Sequence, residues 1–232
     1  MIAASARIPR FKVCCISSVE EARTAIEAGA DAIGLVSSMP SGPGVIPEDL
    51  IRAIADIVPP PIATFLLTCH QRVADIVAQQ RRCGTNTVQL CDRLVEGSYT
   101  ELRAAMPGIT VVQVIHVNGR ESLEEAVRVA PYVDALLLDS GNQTLATKEL
   151  GGTGRTHDWQ LSAEIRRAVR VPIFLAGGLR AENVREAIGQ VEPWGVDLCS
   201  GVRSGGRLDR SKLKAFMLEC RNVLQVPNSA PD

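Results

Sequence analysis

ALLLDS (135–140) runs through a polar loop into GGTGRTHDW (151–159). A short, unbroken apolar run that ends on a carboxylate is the pattern of a parallel strand buried on both faces, delivering a polar group to the mouth of an α/β barrel. Asp139 is therefore the first catalytic candidate; the plainer reading is a strand-end aspartate that hydrogen-bonds loop amides. Gly151, Gly152 and Gly154 let the backbone fold closely around a ligand. Asp158 is placed to cap the helix that Trp159 opens.

Outward from this stretch the chain alternates short apolar or β-branched runs with segments of helical period, which is the signature of repeated βα units on a parallel sheet. The predicted strands are 11–15, 31–36, 61–67, 87–90, 110–117, 134–139, 171–176 and 195–200. The predicted helices are 19–28, 48–57, 71–83, 97–105, 122–130, 159–170, 181–191 and 210–223. Ser17-Ser18 before Glu20-Glu21, with Gly29 after Ala28, supply start and stop signals for the first helix. Eight units in one chain imply a closed single-domain (β/α)8 barrel, a TIM barrel, over residues 10–224, between tails at 1–9 and 225–232. An open doubly wound sheet is the alternative, disfavoured because no GxGxxG follows the first strand.

The chain has 232 residues, 46% of them hydrophobic, enough for one large core. Lys and Arg number 25 against 26 Asp and Glu, so no long-range field favours nucleic acid or an anionic membrane surface. No apolar run approaches the about 20 residues that span a bilayer, and the first nine residues lack the apolar stretch of a secretory signal. The expected location is the cytoplasm, as a monomer or homodimer. Seven cysteines without CxxC spacing indicate neither a disulfide framework nor a zinc ribbon.

In such a barrel the functional groups converge from the C-terminal ends of the strands. AGGL (176–179) and CSG (199–201) present unshielded backbone amides after strands seven and eight, where barrels often hold a phosphate. Gly177, Gly178, Ser200 and Gly201, with Gly151 and Gly152, are thus candidates for binding a phosphorylated small molecule. Glycines serving only tight turns is the competing reading. Arg203 and Arg207 could add charge or lie solvated at the surface.

With these residues in place, the chain resembles the phosphoribosylanthranilate isomerase family of tryptophan biosynthesis. The likeness is carried by KVCC (12–15), where the family has Lys-x-Cys-Gly, EAGADAIGLV (27–36), VQL (88–90), LLLDS (136–140), GGTGRTHDW (151–159), PIFLAGGLRAENVREAI (172–188) and PWGVDLCSGV (193–202). It implies a metal-free, cofactor-free barrel that performs an Amadori rearrangement of an aldosylamine to a ketosamine. Cys14 falls on the family's general base and Asp139 on its general acid. A thiol serves as base only where thiolate exists near neutral pH. Lys12, on the same side of the strand, is grouped with the substrate-binding residues and could favour that thiolate, or act as a structural ion-pair partner. Strand alternation points Cys14 and Cys15 to opposite faces, so only Cys14 should line the site.

The departures gather at the aglycone end. The loop 37–47 reads SSMPSGPGVIP, with Pro43 about where the family carries an arginine for the anthranilate carboxylate. Loss of one charge-assisted pair costs about 1.5–3 kcal/mol, roughly tenfold or more in affinity. Cys91-Asp92 replaces His-Gly after strand four, Cys15 replaces a glycine, Cys199 a serine, and Arg203 stands where an acid is usual. Recognition could pass through Arg155 or His116, although His116 reads better as a core histidine with a backbone partner. The alternatives to a phosphoribosylanthranilate isomerase are a paralogue acting on another phosphosugar amine and a non-catalytic barrel that binds a phosphometabolite. The Ser37–Val45 loop, with two glycines and two prolines, suits a lid.

Overall fold

The structure is a computed structural model that describes residues 8–222; residues 1–7 of the expected N-terminal tail, the end of the last predicted helix and the expected C-terminal tail lie outside the described residues. Eight parallel strands close into a barrel: β1 (Arg10–Val13), β2 (Ala32–Val36), β3 (Ala63–Thr68), β4 (Thr87–Leu90), β5 (Thr110–His116), β6 (Ala135–Asp139), β7 (Ile173–Leu175) and β8 (Gly195–Leu198). Each is followed by a helix: α1 (Val19–Glu27), α2 (Glu48–Ile57), α3 (Val73–Cys83), α4 (Tyr99–Ala105), α5 (Glu121–Val129), α6 (Trp159–Ala168), α7 (Val184–Val191) and α8 (Arg210–Asn222). The ring closes where β1 pairs with β8, Lys12 lying opposite Asp197 and Val13 opposite Leu198. The closed (β/α)8 barrel expected from the sequence is the fold observed.

Alternation along each strand sorts the side chains into two cores. Val13, Ile33, Leu35, Leu66, Val88, Ile115, Leu136, Leu138, Leu175 and Val196 point outward into the layer shared with the helices. Each such side chain, fully buried, stabilises by about 1.5–3 kcal/mol. Ala32, Phe65, Val112, Val114, Ala135, Leu137 and Phe174 fill the barrel itself. Phe174 meets Phe65 and Trp194 edge-on, with ring centroids 5.8 and 5.1 Å apart, and this aromatic plug closes the end remote from the site.

Helix signals act as their residue types require. The Ser18 hydroxyl accepts from Glu21 N at 3.1 Å, and Asp158 Oδ1 accepts from Gln160 N at 2.8 Å. α7 starts three residues later than the pattern predicts, because Asn183 ties 180–183 into a turn: its Oδ1 accepts from Arg180 N at 2.9 Å and its Nδ2 donates to Gly178 O at 3.1 Å. β8 stops at Leu198 since the chain winds into a 3-10 turn at Ser200–Val202.

Candidate active site

The loops at the C-terminal ends of the strands enclose one cavity of about 60 Å³. Cys14, Cys15, Asp139, Gly151, Gly152, Gly177, Gly178 and Ser200 line it, together with Gln89, Cys91, Asp197 and Cys199. The barrel thus brings Cys14 and Asp139, 125 positions apart in the chain, to one space.

β1 ends at Val13, and Cys14 follows with its amide donating to Leu198 O at 2.7 Å, which holds the first turn against the last strand. The Cys14 thiol is buried, yet it is held below the ordinary value near 9, because the neighbouring Cys15 thiol outweighs the upward push of burial, with Lys12 adding attraction. Lys12 does not reach the cavity. Its ammonium lies under the floor, fully buried, 2.8 Å from Asp197 Oδ1 and 5.1 Å from the centre of the Phe65 ring. Burial works against that ammonium, but Asp197 prevails and holds it raised, whereas burial pushes the Asp197 carboxyl up despite Lys12. The two shifts pull in opposite senses; the 2.8 Å contact decides for an ion pair. Of the roles that the sequence leaves open for Lys12, the structure places it as an ion-pair partner near the thiol, outside the cavity lining.

Cys15 corrects the expectation from alternation. Its φ of +61° is left-handed, so its side chain swings back over the barrel and lines the cavity beside Cys14. A non-glycine residue there costs about 1–2 kcal/mol, which is the physical reason for a glycine at that position in the family pattern. Arg203 holds the turn. Its guanidinium donates to the carbonyls of Cys14 and Cys15 and pairs with both Glu21 oxygens at 3.1 Å. With its side chain 8% exposed, it is a buried strut, neither a phosphate ligand nor a solvated surface cation.

Asp139, 8% exposed, accepts from Ser140 N at 2.7 Å through Oδ1. The Ser140 hydroxyl is joined to Thr153 Oγ1 at 2.7 Å, which ties the carboxyl's neighbour to the glycine loop. Gly178, with φ +61°, lies where a β-carbon would fall 2.8 Å from three backbone atoms of residues 154–156. Glycine there lets the loop after β7 pack on the loop after β6, backbone against backbone. Gly201 packs against Leu179 O and faces a neighbouring cleft with Arg180 and Lys212, outside the central cavity. Behind Gly177 stands His157, a motif residue given no role from sequence. Burial pushes its pKa down, and its Nε2 meets Ser162 Oγ at 2.8 Å.

The loop after β2 covers the mouth. Ile46 N returns to Val36 O at 2.9 Å, and Ser41 Oγ donates to Lys148 O at 2.7 Å. Gly44 is pressed on Cys15 so closely that a β-carbon would lie 2.5 Å from Cys15 Cβ. The enclosed volume is far below the roughly 300–1,000 Å³ of small-molecule sites. Pro43 lines the cavity over Gly152, and among the described residues no lysine, arginine or histidine lines it. Arg155 is exposed and pairs with Glu149; His116 Nε2 faces Cys91 O at 3.0 Å within the barrel wall. Neither contributes to the cavity.

A thiol and a carboxyl facing one glycine-lined cavity at the C-terminal mouth of a (β/α)8 barrel define the class: a barrel with the makings of an acid–base isomerase site. The family profile described as N-(5'phosphoribosyl)anthranilate (PRA) isomerase matches residues 11–219. The N-(5'-phosphoribosyl)anthranilate isomerase of Haloferax volcanii is 37% identical over 216 residues, 92% of this chain and 94% of that protein. That of Methanocella arvoryzae is 34% identical over 210 residues, 90% and 96%. Among solved structures, phosphoribosyl anthranilate isomerase from Thermotoga maritima superposes with a TM-score of 0.76 at 30% identity, covering 92% of this chain and 99% of that one. The chain belongs to the N-(5'-phosphoribosyl)anthranilate isomerase family. A further neighbour, phosphoribosyl anthranilate isomerase in complex with reduced 1-(o-carboxyphenylamino)-1-deoxyribulose 5-phosphate, has a TM-score of 0.73 at 29% identity, covering 92% and 99%.

Proposed function

We propose that this chain isomerises N-(5-phosphoribosyl)anthranilate to the 1-deoxyribulose form in tryptophan biosynthesis, in the cytoplasm, as a monomer or homodimer. The Asp139 carboxyl protonates the furanose ring oxygen, the C1–O bond breaks, and the amine nitrogen's lone pair forms an iminium. The Cys14 thiolate then takes the proton from C2, and the C–H electrons neutralise the iminium to give an enolamine. A proton gained at C1 and one lost from the C2 hydroxyl yield the ketone, so the product is an isomer of the substrate. The phosphate lies against the amides of Gly177, Gly178 and Ser200, with Gly151 and Gly152 from the facing loop. The single observation that carries this reading is that Cys14 and Asp139 line the same cavity. Proximity of such a pair matters more than the strength of either group.

One observation favours a second reading. Among the described residues the cavity lining has no lysine, arginine or histidine for a planar carboxylate, and Pro43, about where the family resemblance puts an arginine, lines it. A phosphosugar amine whose aglycone lacks a carboxylate fits that lining as well. Loss of fluorescence of freshly generated phosphoribosylanthranilate separates the two: turnover supports the first reading and its absence the second. With turnover present, Cys14→Ala and Asp139→Asn each lower it by about 10²–10⁴-fold. Turnover persisting in Cys14→Ala assigns the base elsewhere.

A further inference from the structure

Two of the departures from the family pattern, Cys15 for glycine and Cys199 for serine, lie 184 positions apart and meet in the folded chain. Their sulfurs are 2.7 Å apart across the seam where β1 joins β8. The seam brings them together for a definite reason. The register that sets Val13 opposite Leu198 leaves the two chain ends level as they leave the barrel, and the left-handed turn at Cys15 carries its thiol back toward β8. Both are free cysteines and both line the cavity, Cys199 being the more open of the two. Cys15 keeps its thiol at a backbone position that glycine would occupy without strain. Among the described residues no group of three or more metal-type side chains is arranged to hold a metal ion, so the pair reads as redox chemistry and not as a soft-metal site.

We propose that Cys15 and Cys199 form an oxidisable dithiol, a modification site for a peroxide, whose closure to a disulfide disarms the neighbouring Cys14. The Cys199 thiolate attacks one peroxide oxygen, the O–O bond breaks, and Cys199 becomes a sulfenic acid as hydroxide leaves. The Cys15 sulfur then attacks the Cys199 sulfur, the S–O bond breaks, and the two thiol protons end in two molecules of water. Two thiols are oxidised by two electrons in all and one peroxide is reduced. The disulfide removes the Cys15 S–H, and with it the largest of the influences favouring the Cys14 thiolate. A Cys14 deprived of that influence carries less thiolate and is a weaker base and nucleophile.

The consequence for turnover rests on the isomerase reading; the disulfide itself does not, and the test reads it without substrate. The purified full chain is treated with hydrogen peroxide in equimolar amount, free thiols are alkylated, and peptides are mapped without reductant. The expected result is a reducible link between the peptides of Cys15 and Cys199, with Cys14 recovered as a free thiol. Alkylation of Cys14 by iodoacetamide is then slower than in the reduced protein, as a smaller thiolate fraction requires, and dithiothreitol restores it. Cys199→Ser, compared with its own reduced state, gives no link and no reversible slowing. A map with Cys14 itself oxidised or linked to Cys15, and no Cys15–Cys199 link, overturns the proposal. So does a Cys15–Cys199 link that leaves Cys14 alkylation unchanged. The wild-type map alone decides the first point, whatever the stability of the variant.

Discussion

Lys12 Nζ lies 2.8 Å from Asp197 Oδ1, the lysine fully buried and the aspartate side chain 8% exposed where it lines the cavity, and the pair stands beneath the turn that carries Cys14. Two charges taken out of water in this way hold each other, and neither can be removed alone without leaving the other stranded. Asp197→Asn, which strands the Lys12 ammonium, is expected to cost about 3–5 kcal/mol, read as a lower denaturant midpoint at neutral pH. The double change Lys12→Met with Asp197→Leu, which removes both charges, recovers most of that loss. A midpoint unchanged in Asp197→Asn contradicts the buried pair.

In the proposed mechanism Cys14 is the base and sets the acid limb of the rate. Its thiol is held below the ordinary value near 9 by the Cys15 thiol, against burial and with help from Lys12. Because the thiolate is the base, kcat rises as pH passes through the Cys14 value and levels off above it, so the limb falls below pH 9. Lys12→Met removes the attraction of the ammonium and moves the limb to higher pH. The profile of kcat against pH measures both, and a wild-type limb above the ordinary thiol value is the contrary result.

Pro43 stands over Gly152 in a cavity whose lining, among the described residues, holds no lysine, arginine or histidine. Pro43→Arg supplies a guanidinium fork there, and a charge-assisted pair with the anthranilate carboxylate strengthens binding by about 1.5–3 kcal/mol. KM for phosphoribosylanthranilate is therefore expected to fall roughly tenfold or more, with kcat changing less. Steady-state kinetics on the two proteins settles it; an unaltered KM means that the carboxylate is held elsewhere.

Arg203 joins Glu21 to the carbonyls of Cys14 and Cys15. Burial pushes the Glu21 carboxyl up, but Arg203 and the amides of Leu208 and Ser17 outweigh it, and the net shift is below 4.5. A carboxyl depressed in the folded state contributes stability that is present above its unfolded value and lost as pH falls through its folded value. Glu21→Gln removes that part of the acid transition, so its unfolding midpoint becomes less sensitive to pH below about 4.5. Arg203→Met leaves the largely buried Glu21 carboxylate without its cation, with only the amides of Ser17 and Leu208 and the Ser17 hydroxyl on it, and releases the left-handed turn, at a cost of about 3 kcal/mol together with a loss of kcat. Urea titration at several pH values checks both variants.

Much of the site was legible because one rule of the fold, that strand C-termini converge, assigns a place to any polar residue that ends an apolar run. Asp139 after Leu138 and the glycines after Ala176 follow from it directly. The rule of alternation placed Lys12 on the inward side of its strand with Cys14 and failed at Cys15, where the strand had already ended. Arg203 was misplaced for another reason: nothing local marks it as buried, and its partner Glu21 is 182 positions away.

The sequence by itself determined the barrel and its eight repeats, because hydrophobic period and cap chemistry act within a few residues of the chain. Tertiary structure alone decided that Lys12 serves Asp197, that Arg203 holds the turn at Cys14, that the loop after β2 shuts over Cys15, and that Cys15 meets Cys199. Each of these depends on closure of the ring, which sets the first strand beside the last and so brings into contact groups that no local pattern relates.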